Sequence, residues 1–444
     1  MTRRTRRIFA LAASIIAAVL LPAVVQGAST VYQVTNDSDR DAETSVAINP
    51  TDTSNLVAGW ISSGDRTCGF GVSNDGGAHW SVGVIPGIQT NFGGSFDRGT
   101  DPSVAFDKRG NAYYTCLAFN LSPPGLGSAG TVFVSKSTDG GHSWGAPVPV
   151  FAGETRPGKA LNQFEDHQFL THNPKTDELY LTETRFTAAG KPRILFSKST
   201  DGSATWTPPV AINPRSGNAT FQDSFSAGGA TAGTIYVTFG GFSNAGLSNF
   251  DRIYIAKSTD GGGTFSAPQL LRTIVPLPDP LPNAPWRSDS NLWVAVDQTT
   301  NQIYINYADY DEGNAQIRVL RVADLGDRFA VQGRTTVEDD AADQFFPFIT
   351  IAPNHRVDVC YQDRGYVPGN SLIFTTCGFS TDGAASFANQ QVTTTPFDAS
   401  NNDFIGDYNW QASTTDAVHP IFVGDGVAGG DQSKQEVFFA NVTP

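Results

Sequence analysis

A ten-residue pattern recurs five times along the chain and constrains the fold more than any other feature. The clearest copies are SKSTDGGHSW from Ser135, SKSTDGSATW from Ser197 and AKSTDGGGTF from Ala256, and looser copies begin at Gly71 and Gly378. Successive copies lie about 60 residues apart, except that the last interval is twice as long. The doubled interval predicts a degenerate copy near residue 320, and VADLGDRF there keeps the aspartate, a glycine and the aromatic residue.

Each repeat contains three apolar strand patterns ahead of its turn. Seven first strands can be recognised: ETSVAIN, DPSVAFD, DHQFLTH, QDSFSAG, SNLWVAVD, QFFPFITIA and GDYNWQAS. Four short antiparallel strands at a fixed period are typical of a β-propeller blade. The seventh unit ends after its third strand, and the segment Ser29 to Asp37 can supply the fourth. We therefore predict an all-β fold, a single propeller of seven four-stranded antiparallel blades whose last blade is closed by the N-terminal strand. Six blades with a terminal sheet are the alternative.

The repeated turn has a structural explanation. Asp-Gly favours a tight hairpin with positive φ, and the aspartate and serine can accept backbone N–H bonds within it. The closing Trp or Phe can bury its ring between adjacent sheets, which contributes roughly 2–3 kcal/mol when the ring is fully covered. Because a residue that recurs in every blade cannot easily form one unique site, we interpret these aspartates as braces.

The same turn carries a resemblance to a known family. The pattern S-x-D-x-G-x-x-W, matched at Ser137, Asp139, Gly141 and Trp144, is the Asp box, or bacterial neuraminidase repeat, and the chain resembles the sialidase superfamily of propellers. The resemblance implies that the Asp boxes lie on the face opposite the active site. Asp boxes also occur in other glycosidases, in polysaccharide lyases and in non-catalytic propellers. The Phe/Tyr-Arg-Ile-Pro element of sialidases is absent here, and that family has six blades, so no catalytic residue is transferred from it.

The ends and the charge of the chain indicate where it works. Four arginines precede a short apolar run, which predicts a signal peptide over residues 1–28 and a mature propeller domain over 29–444. We expect a secreted monomer with no membrane attachment once the signal is removed. The net charge of -14 argues against nucleic acid or anionic membrane as a partner. The predicted partner is an extracellular carbohydrate.

The four cysteines predict two disulfides in an exported protein. Cys360 and Cys377 fall on neighbouring strand patterns, which favours a bond between them and leaves Cys68 to pair with Cys116. The sequence also allows the other two connectivities.

One face of such a propeller should concentrate carboxylates. Acidic residues recur where the first strand of each unit begins: Glu43, Asp101, Asp166, Asp223, Asp289, Asp343 and Asp407. Repetition favours a structural role for them, so the irregular units three, five and seven are the more informative. They contain NQFEDHQF, APWRSDSNLW and NDFIGDYNW.

Paired carboxylates there suit glycosidic cleavage. Asp166, Asp289 and Asp407 are candidate acids, and Glu183 and Tyr408 are candidate nucleophiles. The candidate substrate-binding residues are Arg98, His167, Arg185, Arg287, Arg364 and Trp286. No metal site or cofactor is assigned, although rim carboxylates leave a structural calcium open.

These residues lead to the functional hypotheses. The leading one is a secreted sialidase-like glycoside hydrolase acting on an extracellular glycan, for which an acidic glycan is one candidate. The alternatives are a non-catalytic propeller that binds glycan or protein, and a polysaccharide lyase with His167 or Tyr408 as base.

Overall fold

The computed structural model describes residues 28–37, 40–62, 67–121, 130–152, 163–187, 192–213, 220–244, 246–366, 372–425 and 435–444. The predicted signal peptide lies almost entirely outside these ranges and stays a prediction. No helix among the described residues is long and apolar enough to cross a membrane.

The described chain folds into seven antiparallel sheets, one per sequence repeat. The inner strands of blades 1 to 7 are Ala42–Ile48, Arg98–Phe106, Gln163–Asn173, Thr220–Gly228, Leu292–Val296, Gln344–Ile351 and Trp410–Ser413. The second strands are Leu56–Ser62, Ala112–Phe119, Glu178–Thr187, Ile235–Phe242, Ile303–Asp309, Val357–Asp363 and Val418–Gly424. The third strands are Thr67–Ser73, Thr131–Ser137, Arg193–Ser199, Arg252–Ser258, Gln316–Asp324, Leu372–Ser380 and Glu436–Val442. The outer strands are Ser81–Val84, Val148–Ala152, Val210–Ala211, Gln269–Thr273, Phe329–Thr336, Ala388–Gln391 and, for blade 7, Ser29–Gln33.

The two ends of the chain close the ring. Ser29–Gln33 pairs antiparallel with Glu436–Val442, so that Ser29 lies opposite Val442 and Gln33 opposite Phe438. This pairing completes the last blade and hides an edge that would otherwise be open to another chain. The prediction of seven blades and of N-terminal closure is confirmed, and the six-bladed alternative is wrong. Two smaller elements complete the described structure, a 3₁₀ turn over Thr90–Phe92 and a short strand over Phe397–Asp398.

The five repeated turns share one hydrogen-bonding arrangement. In blade 2, the Ser137 hydroxyl donates to Asp139 at 2.7 Å and accepts the Gly141 N–H at 2.8 Å. The other four turns repeat both bonds within 2.8–2.9 Å. Trp144 closes the turn and packs edge-on against Phe70 of the neighbouring blade, with ring centroids 5.7 Å apart. The turn therefore joins adjacent blades, as the sequence predicts.

Both predicted disulfides form. Cys68–Cys116 joins blades 1 and 2, and Cys360–Cys377 joins paired residues of two strands within blade 6. The first bond thus connects blades and the second stabilises a single sheet.

Inner strands carry a β-bulge that shapes the centre of the propeller. In five blades the register shifts where one non-glycine residue takes a φ of 49–57°: Glu43, Asp101, His167, Asp223 and Phe346. A left-handed conformation costs a non-glycine residue about 1–2 kcal/mol, so the surrounding sheet must hold it in place. Bulges commonly redirect a side chain at a functional site.

Aromatic rings fill the centre of the ring of blades. Trp293 lies 4.6 Å from Phe348 and 4.7 Å from Phe169, and Phe348 lies 4.1 Å from Trp410, measured between ring centroids. The inner strands of blades 3, 5, 6 and 7 contribute these rings. They make a packed floor where a propeller would otherwise have a channel.

Candidate active site

A cavity of about 580 Å³ opens where the inner strands begin. Its lining residues are Arg40, Ala42, Glu43, Ile61, Thr100, Asp101, Phe119, Phe164, Asp166, His167, Gln222, Arg287, Asp289, Asp403, Phe404, Asp407 and Gln435. The repeated turns join third to outer strands, which places them at the opposite ends of the strands. None of their residues lines the cavity. The repeated turns and the candidate site therefore occupy opposite faces.

Bulges and irregular loops together bring acidic groups into the cavity. Glu43 and Asp101 occupy bulge positions of blades 1 and 2, and His167 occupies the same position in blade 3. Asp289 and Asp407 come from the loops before the inner strands of blades 5 and 7. The titratable residues of the site thus come from several blades, and no lining residue comes from blade 6.

His167 lies among carboxylates. Its Nδ1 is 3.0 Å from Asp223 Oδ1, its Nε2 is 3.9 Å from Asp166 Oδ2, and its backbone N–H donates to Asp101 at 3.2 Å. Burial alone would lower the pKa of His167, but the charges of Asp166 and Asp223 outweigh it and raise the pKa well above its ordinary value. The neighbouring carboxylates therefore favour the protonated form of His167.

Asp407 is held by a fork of two hydrogen bonds. Arg287 Nε donates to Asp407 Oδ1 at 2.7 Å, and Nη2 donates to Oδ2. Asp407 is 2 % exposed, whereas Arg287 is half exposed and lies over the Phe404 ring at 5.1 Å. A bidentate guanidinium is a strong, directional partner for a carboxylate, so this pair fixes the position of Asp407 in the cluster.

Three neighbouring carboxyls are biased toward the protonated form. Burial raises the pKa of Asp289 well above its ordinary value, and the charges of Asp223 and Asp407 add to the rise. Burial likewise raises the pKa of Asp166 to about 7, with His167 opposing the rise. The pKa of Glu43 is also raised well above its ordinary value, by burial and by the charges of Asp101 and Asp407. The cavity therefore combines three carboxyls biased toward the protonated form with the ion pair of Arg287 and Asp407.

The same cluster has a donor set that could hold a metal. His167, Asp289 and Asp407 each offer one ligand atom, and these atoms lie within 4.8 Å of one another. Both Asp407 oxygens, however, already accept hydrogen bonds from Arg287, and the surrounding carboxylates favour the cationic form of His167 over the neutral form that a metal would need. Two cations inside the cluster disfavour a third, so we assign no metal here.

The structure brings five of the predicted site residues together. Asp166, His167, Arg287, Asp289 and Asp407 all line the cavity. They come from units three, five and seven, the irregular units of the sequence.

The other predicted residues lie elsewhere. Arg185 binds Glu165 at 2.7 Å and Glu183 at 3.4 Å, and this buried group lies outside the cavity lining. Arg98 begins the inner strand of blade 2 and does not line the cavity either. Their positions do not support the predicted roles of Glu183 as nucleophile or of the two arginines as substrate ligands.

Two aromatic candidates belong to the core. Tyr408 is 1 % exposed, donates its hydroxyl to the Pro102 carbonyl at 3.1 Å and packs 5.2 Å from Phe169. Trp286 is 0 % exposed and therefore has no free face on which a sugar could stack. Arg364 lies over Trp286 and pairs with Asp343 at 3.0 Å, away from the cavity. The expected nucleophilic tyrosine and stacking tryptophan are not supported by these positions.

The predicted site omitted several residues that line the cavity. The sequence shows Glu43 and Asp101 as acids at the start of inner strands, but their repetition favours a structural role. Phe119 ends the second strand of blade 2, and Phe164 lies at the start of the inner strand of blade 3. Arg40 pairs with Asp403 at 3.0 Å. Nothing in the sequence marks these four residues as neighbours of the cluster.

Comparison with known proteins supports the architecture. No family model matches the chain, and no curated protein matches it in sequence. Among solved structures, a protein of unknown function from Dyadobacter fermentans has a TM-score of 0.55 at 15% identity, covering 94% of this chain and 98% of that one. The NanB sialidase from Streptococcus pneumoniae has a TM-score of 0.50 at 11% identity over 75% of this chain and 67% of its own. A Hadza microbial sialidase has a TM-score of 0.50 at 14% identity over 89% and 75%.

The likeness is one of fold. At these identities it carries no residue assignments, and function must be argued from the cavity.

Proposed function

We propose that the protein is a glycoside hydrolase whose active site is the central cavity, with Asp289 as the general acid and Asp407 as the nucleophile. The observation that carries this proposal is a pair of adjacent carboxyls in contrasting environments. Asp289 has a raised pKa, Asp407 accepts two hydrogen bonds from Arg287, and they offer oxygens within 4.8 Å of each other. Two adjacent carboxyls in different environments are the arrangement that glycosidases use for an acid and a nucleophile.

The geometry favours retention of anomeric configuration. Carboxyl groups about 5–5.5 Å apart leave no room for an intervening water, so one of them attacks the anomeric carbon directly. In the first step Asp407 forms a bond to that carbon while Asp289 protonates the leaving oxygen. In the second step Asp289 takes a proton from water, which attacks the same carbon and releases Asp407.

The lining of the cavity favours a neutral or amino sugar over an acidic one. Its two arginines are already paired with Asp403 and Asp407. A substrate carboxylate would therefore find no unpaired guanidinium in the lining to bind it. Phe119, Phe164 and Phe404 offer apolar surface for the face of a sugar ring.

The two disulfides support the proposal that the protein is exported, since such bonds persist mainly in oxidising compartments. An extracellular glycan is then the proposed substrate. Action as a monomer stays a prediction from the sequence.

Activity on aryl glycosides tests the assignment. We expect Asp407→Asn to lower kcat/KM by about 10³-fold or more for every substrate, because the covalent step is lost. We expect Asp289→Asn to lower it by about 10²–10⁴-fold for poor leaving groups and much less for a nitrophenolate that needs no protonation.

Asp343→Asn is the matched control, because Asp343 directly precedes the inner strand of blade 6 and lies outside the cavity lining. It should retain activity. Binding of glycans without any turnover would instead favour a non-catalytic glycan-binding propeller. Equal losses for good and poor leaving groups would contradict the role given to Asp289.

A further inference from the structure

A second group of carboxyls lies where the two ends of the chain meet. Asp37 and Asp41 belong to the segment that runs from the outer strand of blade 7 to the inner strand of blade 1, and Glu436 begins the last strand. Each offers one oxygen, and these three oxygens lie within 4.8 Å of one another. None of the three residues lines the central cavity, so this is a separate cluster.

The environment of Asp41 independently indicates that this cluster binds a cation. Its side chain is 0 % exposed, and neither carboxylate oxygen accepts a hydrogen bond of acceptable geometry. No lysine, arginine or histidine within the described ranges forms an ion pair with it. An ionised carboxylate buried in this way is costly unless a cation compensates it.

The neighbouring hydroxyl does not replace that cation. Thr35 donates its only hydroxyl hydrogen to Glu436 Oε2 at 2.9 Å and accepts the Val437 N–H at 2.8 Å. The main chain holds Asp41 in place, because the Asp41 N–H donates to the Gln435 carbonyl at 2.9 Å.

The donor atoms select a class of cation. Carboxylate and hydroxyl oxygens are hard ligands, which suit Ca²⁺ better than the softer transition metals. Calcium binds oxygens at about 2.3–2.6 Å, so two of its ligands are at most about 5 Å apart, and the separation in this cluster satisfies that limit. We propose that Asp37, Asp41 and Glu436 bind a calcium ion that joins the first and last segments of the propeller.

Such an ion would act on the closure of the ring. The two segments come from opposite ends of the chain: Thr35 and Glu436, which are hydrogen-bonded here, are 401 residues apart in sequence. An ion that binds only when both ends are in place stabilises the closed propeller by mass action. Arg40 and Gln435, which flank the cluster in sequence, line the central cavity, so closure also positions one wall of that site.

Thermal unfolding of the full chain with EDTA or with millimolar CaCl₂ tests the proposal. We expect calcium to raise the Tm of the unaltered protein by about 3–5 °C. Asp41→Asn should abolish this rise, yet melt at or above the unaltered protein in EDTA because it no longer buries an uncompensated charge. Equilibrium dialysis with ⁴⁵Ca²⁺ should give one bound ion per chain, and none for Asp41→Asn.

Two further variants keep the test decisive. Glu436→Gln retains an oxygen that can accept the Thr35 hydroxyl but loses the charge, and it should lose the bound ion even if Asp41→Asn fails to fold. Asp289→Asn, in the central cavity, should keep both the ion and the rise in Tm. Absence of any bound ion in the unaltered protein, or loss of the ion in Asp289→Asn with retention in Asp41→Asn, would overturn the proposal.

Discussion

At the scale of single residues, neighbours decide what each carboxyl in the cavity can do. Asp289 and Asp407 have the same side chain and lie side by side. Arg287 donates two hydrogen bonds to Asp407 and favours its charge, whereas burial and the nearby carboxylates favour the proton on Asp289. One residue type can therefore supply both an acid and a nucleophile.

The raised pKa of Asp289 predicts a pH dependence. Because the acid must carry its proton, kcat/KM should fall as pH rises through that raised pKa, and the fall should lie well above the ordinary aspartate range. In Asp289→Asn the alkaline fall should disappear for a substrate with a good leaving group. An unchanged profile in the variant would assign the acid to another residue.

Asp166 predicts a pH dependence of stability. Its pKa is about 7 in the folded chain against 3.8 for an ordinary aspartate, so the folded state binds the proton more tightly. The free energy of unfolding should therefore fall as pH rises between these values and stay low above pH 7. Asp166→Asn removes this penalty, and its Tm relative to the unaltered protein should increase from pH 4 to pH 8. A difference that is constant with pH would contradict the assignment.

At the scale of elements, the β-bulge of the inner strands explains why the repeated acidic residues look structural in the sequence although two of them line the cavity. An acidic residue recurs where the inner strand of nearly every blade begins. This repetition favours a structural role for Glu43 and Asp101. Phe346 takes the same left-handed conformation in blade 6, so the bulge itself does not require an acid. The acids are therefore free to serve the cavity that they line.

The repeated turn gives a prediction about stability alone. Ser137→Ala removes the hydroxyl that bonds Asp139 and Gly141, and we expect it to lower the free energy of unfolding by about 1–2 kcal/mol. Activity per folded molecule should not change, because the turn lies on the face opposite the cavity. Thr138→Ala, at an exposed position of the same turn, is the matched control and should have little effect. Urea unfolding and kcat measured on the same samples would decide it.

At the scale of the whole molecule, the sequence predicted what depends on periodicity. Seven blades and closure by the N-terminal strand follow from the spacing of the repeats. The neighbouring strand patterns favour the disulfide pairing that the structure has, although the sequence also allows the other two connectivities. The sequence predicts the site only in part, because the spacing of residues along the chain does not show which way each side chain points. Tyr408 follows Asp407 directly, yet one side chain lies in the packed floor and the other lines the cavity.

Closure by the N-terminal strand predicts the effect of a truncation. A chain that begins at residue 34 lacks Ser29–Gln33 and leaves the edge of Glu436–Val442 unpaired. We expect a lower Tm and concentration-dependent association through that edge, compared with a chain that begins at Ser29. Differential scanning calorimetry and size-exclusion chromatography would detect both effects. Equal behaviour of the two chains would show that the strand does not close the ring.

We propose above all that Asp289 and Asp407 cleave the glycosidic bond of a substrate bound in the acidic cavity, on the face away from the repeated turns. A crystal structure of Asp289→Asn soaked with a glycoside that the unaltered protein hydrolyses tests it most directly. We expect a sugar ring in the cavity, with its anomeric carbon about 3–3.5 Å from an Asp407 oxygen and its glycosidic oxygen beside residue 289. A sugar bound elsewhere, or bound in the cavity with its anomeric carbon remote from both carboxyls, would contradict it.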